Sequence, residues 1–289
     1  MIDLLRVTII VPTYQDWDRL KYCIKALQLQ SYPPELYEII IVNNNTSDEL
    51  PELDLSENIK IISESRPGSY SARNTGLSVA KGDIIAFTDS DCIPDKDWLR
   101  NAIKKFQSDS GVERVTGPVS IFRAPGTSWL SWKFESITAF NQKYNVLNGV
   151  SVTANLFVKK SIFDQVGRFN ASLLSGGDVE WNERATDANI ALLFSKDVVV
   201  LHPARVSLSD LIIKSRRVTG GGFLRAKDEK KLLNFILWYF VPPLRFAKVL
   251  ITDGKSFLEV LLAVSVFWPI KLLMIFEIIR LSLDGKPLR

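Results

Sequence analysis

The chain has 289 residues, 46% of them apolar and 24% charged, with a formal net charge of +4. That balance excludes a disordered chain and supplies enough apolar material for one large α/β domain, or a domain with an appendage. The charge is too small to argue for nucleic acid, and the two cysteines, Cys23 and Cys92, make neither a disulfide framework nor a zinc-ligand set.

The first residues run straight into a strand-like segment, with no basic stretch, apolar run and small-residue cleavage site, so the catalytic part is expected to stay in the cytosol. Val7 to Val11, stopped by Pro12, is a β-branched run of the kind buried on both faces of a parallel sheet. Residues 18–30 read as a helix and Glu38 to Val42 as a second buried strand. A polar turn follows from Asn43 to Glu49, where Thr46 and Glu49 have capping-box spacing for a helix that Pro51 keeps short. Ile59 to Ser63 reads as a third strand, Ser71 to Ala80 as a helix and Asp83 to Thr88 as a fourth strand. This alternation predicts right-handed βαβ units and a Rossmann-like, mostly parallel sheet flanked by helices. Ligands on such sheets sit beyond the carboxyl ends of the strands.

The fourth strand leads into Thr88-Asp89-Ser90-Asp91-Cys92. Hard divalent cations such as Mg2+ or Mn2+ take carboxylate oxygens together with substrate phosphates, and a pair one residue apart at a strand end suits that role. Alone the pair is also an ordinary solvated turn. Upstream, Arg66-Pro67-Gly68-Ser69-Tyr70-Ser71-Ala72-Arg73-Asn74-Thr75-Gly76-Leu77 combines a glycine, where backbone can approach a ligand, with an arginine near a helix start, where phosphate oxygens are favoured. A glycine turn with a surface arginine is the plainer reading.

Trp129, Trp132, Phe134, Phe140 and Tyr144 fall within one helix-like stretch and are expected to pack in the core, with one or two against an acceptor. Gly176-Gly177-Asp178-Val179-Glu180-Trp181 opens another helix with acids in its first turn, where the dipole favours them and where acids are common without further role. His202, the only histidine, follows a strand and reads equally as a structural residue or a ligand. Lys214 to Gly222 reads as a basic turn with three glycines: a linker, or a loop in which Arg216 and Arg217 close over phosphates.

Val11-Pro12-Thr13-Tyr14, then Ile41-Val42-Asn43-Asn44-Asn45-Thr46-Ser47-Asp48, then Ala72-Arg73-Asn74-Thr75-Gly76, then Asp89-Ser90-Asp91 resemble, in order and spacing, the family 2 glycosyltransferases of GT-A fold over roughly residues 5–220. The resemblance implies a nucleoside-diphosphate-sugar donor, lying against Pro12, Thr13 and Tyr14 and against the segment of Asn43, with Arg73, Asn74, Asp89 and Ser90 near its diphosphate. It implies Mn2+ or Mg2+ held by Asp89 and Asp91, and in some relatives by a histidine at about the place of His202. It implies a catalytic base at Asp178, with Glu180 the second candidate, and inversion by one displacement. Two departures stand out. Asn43 replaces the usual aspartate, and Gly177-Asp178 replaces the usual Glu-Asp. The Gln-x-x-Arg-Trp of processive relatives is absent, so transfer of one sugar to a glycan or lipid-linked acceptor is expected. A degenerate, sugar-binding scaffold and a sugar nucleotidyltransferase are the competing readings. The retained acids argue against the first, and the lack of a glycine-rich basic loop after the first strand argues against the second.

From residue 229 to 289 the chain reads as a helical, membrane-associated tail on a catalytic domain of residues 1–228, whose nucleotide half is 1–95 and acceptor half 96–228. Leu232 to Leu244 is too short to span and is broken by Pro242-Pro243; Phe257 to Ile279 is long enough, but Lys271 interrupts it. Basic residues flank the first stretch on both sides, with Arg225, Lys227, Lys230 and Lys231 before it and Arg245 and Lys248 after. The expectation is a peripheral or re-entrant pair of helices on the cytoplasmic membrane face, drawn to anionic lipid. One spanning segment, or a homo-oligomer interface, are the other readings.

Overall fold

A computed structural model describes residues 5–45, 50–226, 229–283 and 285–287, with residues 229–232 as backbone only. The capping box expected at Thr46 and Glu49 lies outside the described residues, as does Lys227.

In chain order the elements are β1 (Val7–Thr13), α1 (Trp17–Gln28), β2 (Tyr37–Asn43), β3 (Ile59–Ser63), α2 (Ser69–Val79), β4 (Ile84–Phe87), β5 (Ile93–Pro94), α3 (Trp98–Ser108), β6 (Arg114–Thr116), β7 (Val119–Phe122), α4 (Trp129–Thr138), α5 (Gln142–Leu147), β8 (Leu156–Lys159), α6 (Ile162–Val166), α7 (Gly177–Asp187), β9 (Leu192–Phe194), β10 (Val200–Pro203), α8 (Leu208–Arg225), α9 (Glu229–Phe240), α10 (Leu244–Thr252) and α11 (Phe257–Ser282). They divide into two compact units. The first is Met1–Ser120, Phe140–Ser172 and Gly177–His202; the second is Ile121–Ala139, Leu173–Gly176 and Pro203–Arg289.

The first unit is α/β. Its seven-stranded sheet has the order β3-β2-β1-β4-β8-β6-β9, parallel except where β8 runs against β4 and β6. The apolar runs explain the centre: every residue of β1 and β4 is buried, as a strand covered by helices on both faces requires. Ile9, Val11, Ile39, Ile41, Leu20, Leu27 and Trp98 make one core between sheet and helices, each fully buried aliphatic side chain contributing about 1.5–3 kcal/mol. Pro12 does not stop β1, which continues to Thr13. The pairing with β4 ends at Ile10 opposite Phe87, so the missing N–H of Pro12 lies beyond the last rung on that side.

The second unit is helical, built from α4 and α8 to α11. The segment 214–222, expected as a turn, is the middle of α8 instead. Ser207 and Asp210 form a reciprocal capping box that starts the helix, and its glycines permit close packing: a Cβ on Gly222 would lie 2.6 Å from the Phe235 ring. The aromatic stretch at 129–144 is not one helix. It breaks between α4 and α5, where Phe140 takes φ 52°.

Around α11 the unit packs Phe134, Leu211 and Ile270 in one cluster and Tyr239, Met274 and Ile278 in another. Lys271 turns inward, its ammonium donating to the Val241 carbonyl at 2.7 Å and lying 4.0 Å from the Trp238 ring centre. Glu277 is held by Arg216 and Arg280. The charges that interrupt the second apolar stretch are therefore satisfied inside the unit, and the stretch is one helix of 26 residues whose 18-residue apolar window has mean hydropathy 2.0. Only 28% of its most apolar 18-residue window is buried, and Phe257, Leu258, Leu261, Leu273, Phe276 and Ile279 are exposed. The first stretch bends by 75° between Leu233–Phe240 and Leu244–Thr252, at Pro242-Pro243. By length and composition α11 is able to cross a membrane.

Candidate active site

The carboxyl edge of the parallel strands collects the polar groups. Thr13 ends β1 opposite Asn43 at the end of β2, and β4 ends one residue before Thr88 and Asp89. Beyond this turn β5 pairs antiparallel with β10, Ile93 opposite Leu201, and that pairing sets His202 beside Asp91.

His202 Nε2 lies 3.5 Å from Asp91 Oδ2, and the ligand atoms of Asp91, Cys92 and His202 fall within 4.8 Å of one another. The imidazole is buried and packs on Phe140 at 4.9 Å. Burial, with Asp91 and Asp89 adding to it, pushes the Cys92 thiol well above its usual range and keeps it protonated. The carboxylate and the imidazole are then the groups suited to a divalent cation such as Mn2+. Asp89 is half-buried and receives the guanidinium of Arg73 on Oδ1 at 2.5 Å. Burial pushes its carboxyl up; Arg73 and His202 oppose this, and Asp91 and Asp178 add to it. Asp89, Asp91, His202 and Asp178 thus share one electrostatic neighbourhood.

Asp178 opens α7, whose N-terminal dipole favours a carboxylate. Its Oδ1 accepts from the Tyr70 hydroxyl and the Val179 amide, each at 3.0 Å. The helix is fixed from behind by Arg114 on β6, 1% exposed, which donates to Asn182 Oδ1 at 2.7 Å, Thr186 Oγ1 at 3.1 Å and the Ile190 carbonyl at 2.6 Å. Burial lowers this guanidinium to a pKa of about 10, so it stays charged at neutral pH. Glu180, one turn-step further, is clasped by both arms of Arg184, at 2.7 and 3.2 Å. The same arginine also donates to the carbonyls of Val166 and Arg168.

The remaining residues named from the sequence divide by what they touch. Thr13 is buried and its hydroxyl has no partner among the described residues; the same holds for Ser71 Oγ and Arg73 Nε. Buried polar atoms left so are destabilising by about 1–3 kcal/mol each unless a ligand or water satisfies them. Asn43 is buried and accepts from the Asn45 amide at 2.9 Å, while Tyr14 is 44% exposed. Asn74 bonds both the amide and the carbonyl of Phe169, at 3.1 and 2.8 Å, and so braces the loop before α7. Ser90 donates to Asp16 at 3.1 Å. Arg216 and Arg217 lie on α8 in the helical unit, Arg216 bonded to Glu277 at 2.9 Å.

Sequence reading missed Asp16, Arg19, Tyr70 and Arg114. Arg19 Nη1 lies 3.5 Å from Asp91 Oδ2 while its Nε holds Asp16 at 2.6 Å, and burial raises Asp16 with Arg19 opposing. The rule that ligands gather after strand ends reaches Asp16 and Arg19, which follow β1 directly. Nothing local marks Tyr70 or Arg114, whose partners stand far along the chain.

Residues 8–167 match the model of the family described as Glycosyl transferase family 2. The glycosyltransferase AglE of Haloferax volcanii is 36% identical over 222 residues, 74% of this chain and 72% of its own length. A dolichyl N-acetyl-alpha-D-glucosaminyl phosphate 3-beta-D-2,3-diacetamido-2,3-dideoxy-beta-D-glucuronosyltransferase of Methanococcus voltae is 23% identical over 258 residues, 81% of this chain and 77% of its own. Among solved structures, the mannosyltransferase PcManGT from Pyrobaculum calidifontis, in complex with GDP-Man and Mn2+, superposes with a TM-score of 0.57 at 21% identity, over 97% of this chain and 87% of that one. This last likeness is one of fold.

Proposed function

Because the chain belongs to glycosyl transferase family 2 and is a glycosyltransferase of GT-A fold, we propose that it moves one sugar, with inversion, from a nucleoside-diphosphate-sugar to a hydroxyl of a glycan or lipid-linked glycan. The observation that carries this reading is that helix α2 ties the two acids together beyond the strand ends, its Arg73 holding Asp89 and its Tyr70 donating to Asp178, while His202 stands beside Asp91. Asp178 is the base. Its Oδ1 is occupied by two donors, so Oδ2 is the oxygen left to take the acceptor's proton. As that proton moves, the acceptor oxygen bonds the anomeric carbon and the sugar–phosphate bond breaks, its electron pair leaving with the diphosphate. One displacement inverts the centre.

Asp91 and His202, whose ligand atoms lie close together, would hold Mn2+ or Mg2+, which when bound would supply positive charge against the leaving diphosphate; Asp89, paired with Arg73, lies outside that group. Arg73 keeps Asp89 oriented and still has its Nε to offer, and Arg19 adds a cation beside Asp91. Pro12, Thr13, Tyr14 and Asn43 take the nucleoside; the unpartnered Thr13 hydroxyl supports this. An amide at Asn43 both donates and accepts, so it reads a base differently from an aspartate. The relatives support donor and acceptor class: one was solved with GDP-Man and Mn2+, and another is named for a dolichyl-linked sugar phosphate.

The helical unit seats the enzyme at the cytoplasmic membrane surface, with α9 and α10 as a re-entrant pair. The 75° bend and the exposed Leu237, Trp238, Phe240 and Leu244 support this.

The test is incubation with UDP-, GDP- and dTDP-sugars and Mn2+. Release of nucleoside diphosphate is expected. Release of pyrophosphate would mark a nucleotidyltransferase, and binding without turnover a sugar-binding scaffold.

A further inference from the structure

Gly177 stands where the family resemblance implies a glutamate, and its backbone does not ask for glycine. Gly176 takes φ 73°, a conformation costly for any other residue, whereas Gly177 is an ordinary first helical residue. What requires glycine at 177 is a ring. A Cβ there would lie 2.7 Å from Cε2, 2.8 Å from Cδ2 and 3.0 Å from Cζ of Tyr70. They form one edge of the ring and include Cζ, which carries the phenol oxygen that donates to Asp178 Oδ1 at 3.0 Å. The space of the absent side chain is filled by the group that holds the remaining acid.

We propose that Tyr70 is a positioning residue for the transfer step: its phenol fixes the Asp178 carboxylate in one orientation, and Gly177 is what admits the ring. The proposal rests on the reading of Asp178 as the base.

Several contacts hold the ring itself. Tyr70 is 5% exposed, its centroid lies 5.8 Å from that of Phe169, and the Arg73 guanidinium carbon lies 5.5 Å from it. Asn74, on the same helix, braces the backbone of Phe169. Arg73 is in turn the partner of Asp89. Helix α2 therefore carries both the arginine that orients the first acid of the strand-end pair and the tyrosine that orients Asp178. With Tyr70 and Val179 both donating to Oδ1, a free rotation that would exchange the two oxygens is blocked, and Oδ2 is presented consistently. Misplacement of a base by an ångström is the kind of fault that lowers turnover while leaving donor binding alone.

The test is a double-mutant cycle on the full chain. Turnover is read as nucleoside diphosphate released from the nucleotide sugar it uses, with water as acceptor, alongside donor Kd and melting temperature. Tyr70→Phe is expected to lower kcat about 10-fold with donor Kd within about twofold. Asp178→Asn is expected to lower it about 10²–10⁴-fold. Added to Asp178→Asn, the tyrosine change should have no further effect, because a residue acting through Asp178 has nothing left to act on. The same loss in both backgrounds would mean that Tyr70 only packs, and would overturn the proposal. A fully active Asp178→Asn would instead show that the base reading had failed. Should Tyr70→Phe not fold, Gly177→Ala reports on the same contact: its methyl displaces the ring, and it should lower kcat about as much, but not in the Asp178→Asn background.

Discussion

Nε2 of His202 stands 3.5 Å from Oδ2 of Asp91, although one lies in β10 and the other in the turn after β4. The antiparallel pairing of β5 with β10 brings them together. His202→Ala and Asp91→Asn should therefore each weaken Mn2+ binding by about 10-fold or more, since a ligand should matter at least as much as its outer-shell supports. Titration of the protein with Mn2+ in the absence of donor measures this directly. Turnover undiminished in EDTA would remove the metal from the reaction.

Asp178 and Glu180 should behave differently. Asp178→Asn leaves donor affinity intact while kcat falls about 10²–10⁴-fold. Glu180→Gln breaks a partly exposed pair with Arg184 and costs about 0.3–0.5 kcal/mol of stability, with little change in kcat. Steady-state kinetics on both variants decides the assignment, and a silent Asp178→Asn beside a dead Glu180→Gln would reverse it.

Arg114→Met should destabilise the first unit by about 2–4 kcal/mol, because the Ile190 carbonyl and Asn182 Oδ1 lose a buried donor. Denaturant unfolding checks the size. An unshifted midpoint would mean that α7 is anchored by other contacts.

Glu64 introduces an acid sensitivity. Arg66 first, then Thr75 and the Arg66 amide, hold its carboxyl down at about 2, against 4.5 for the free group. A carboxylate depressed on folding contributes stability that is complete above about 4.5 and is lost as pH falls toward 2. Melting temperature should fall across that window, and Glu64→Gln should flatten the slope while lowering stability at neutral pH.

The turn between α10 and α11 gives the topology test. Cys23 and Cys92 are fully buried, so a cysteine placed at the exposed Asp253 is the reactive thiol a label will find. Labelling from the cytoplasmic side is expected for a re-entrant pair. Labelling only from the opposite side would mean the chain crosses the membrane before α11. Replacing Arg245 and Lys248 by Glu should weaken binding to anionic vesicles, each basic residue near such a surface adding about 1 kcal/mol.

The first four strands were legible as short apolar runs rich in β-branched residues, and Ile59–Ser63, at the edge of the sheet, was placed to the residue. The acids at the end of β4 were legible because in parallel sheets the carboxyl edge is where ligands go. The glycines of α8 misled, since local chemistry reads Gly as freedom, while here close neighbours need their missing side chains: Pro287 at Gly220, Ser175 at Gly221 and Phe235 at Gly222. Lys271 misled in the same way, because hydropathy counts a charge without knowing that Val241 and Trp238 will receive it. Tyr70 beside Asp178 had no sequence signal at all, and His202 beside Asp91 was readable only through the family resemblance. Each pairing depends on which strands and helices become neighbours, and only the closing of the sheet decides that.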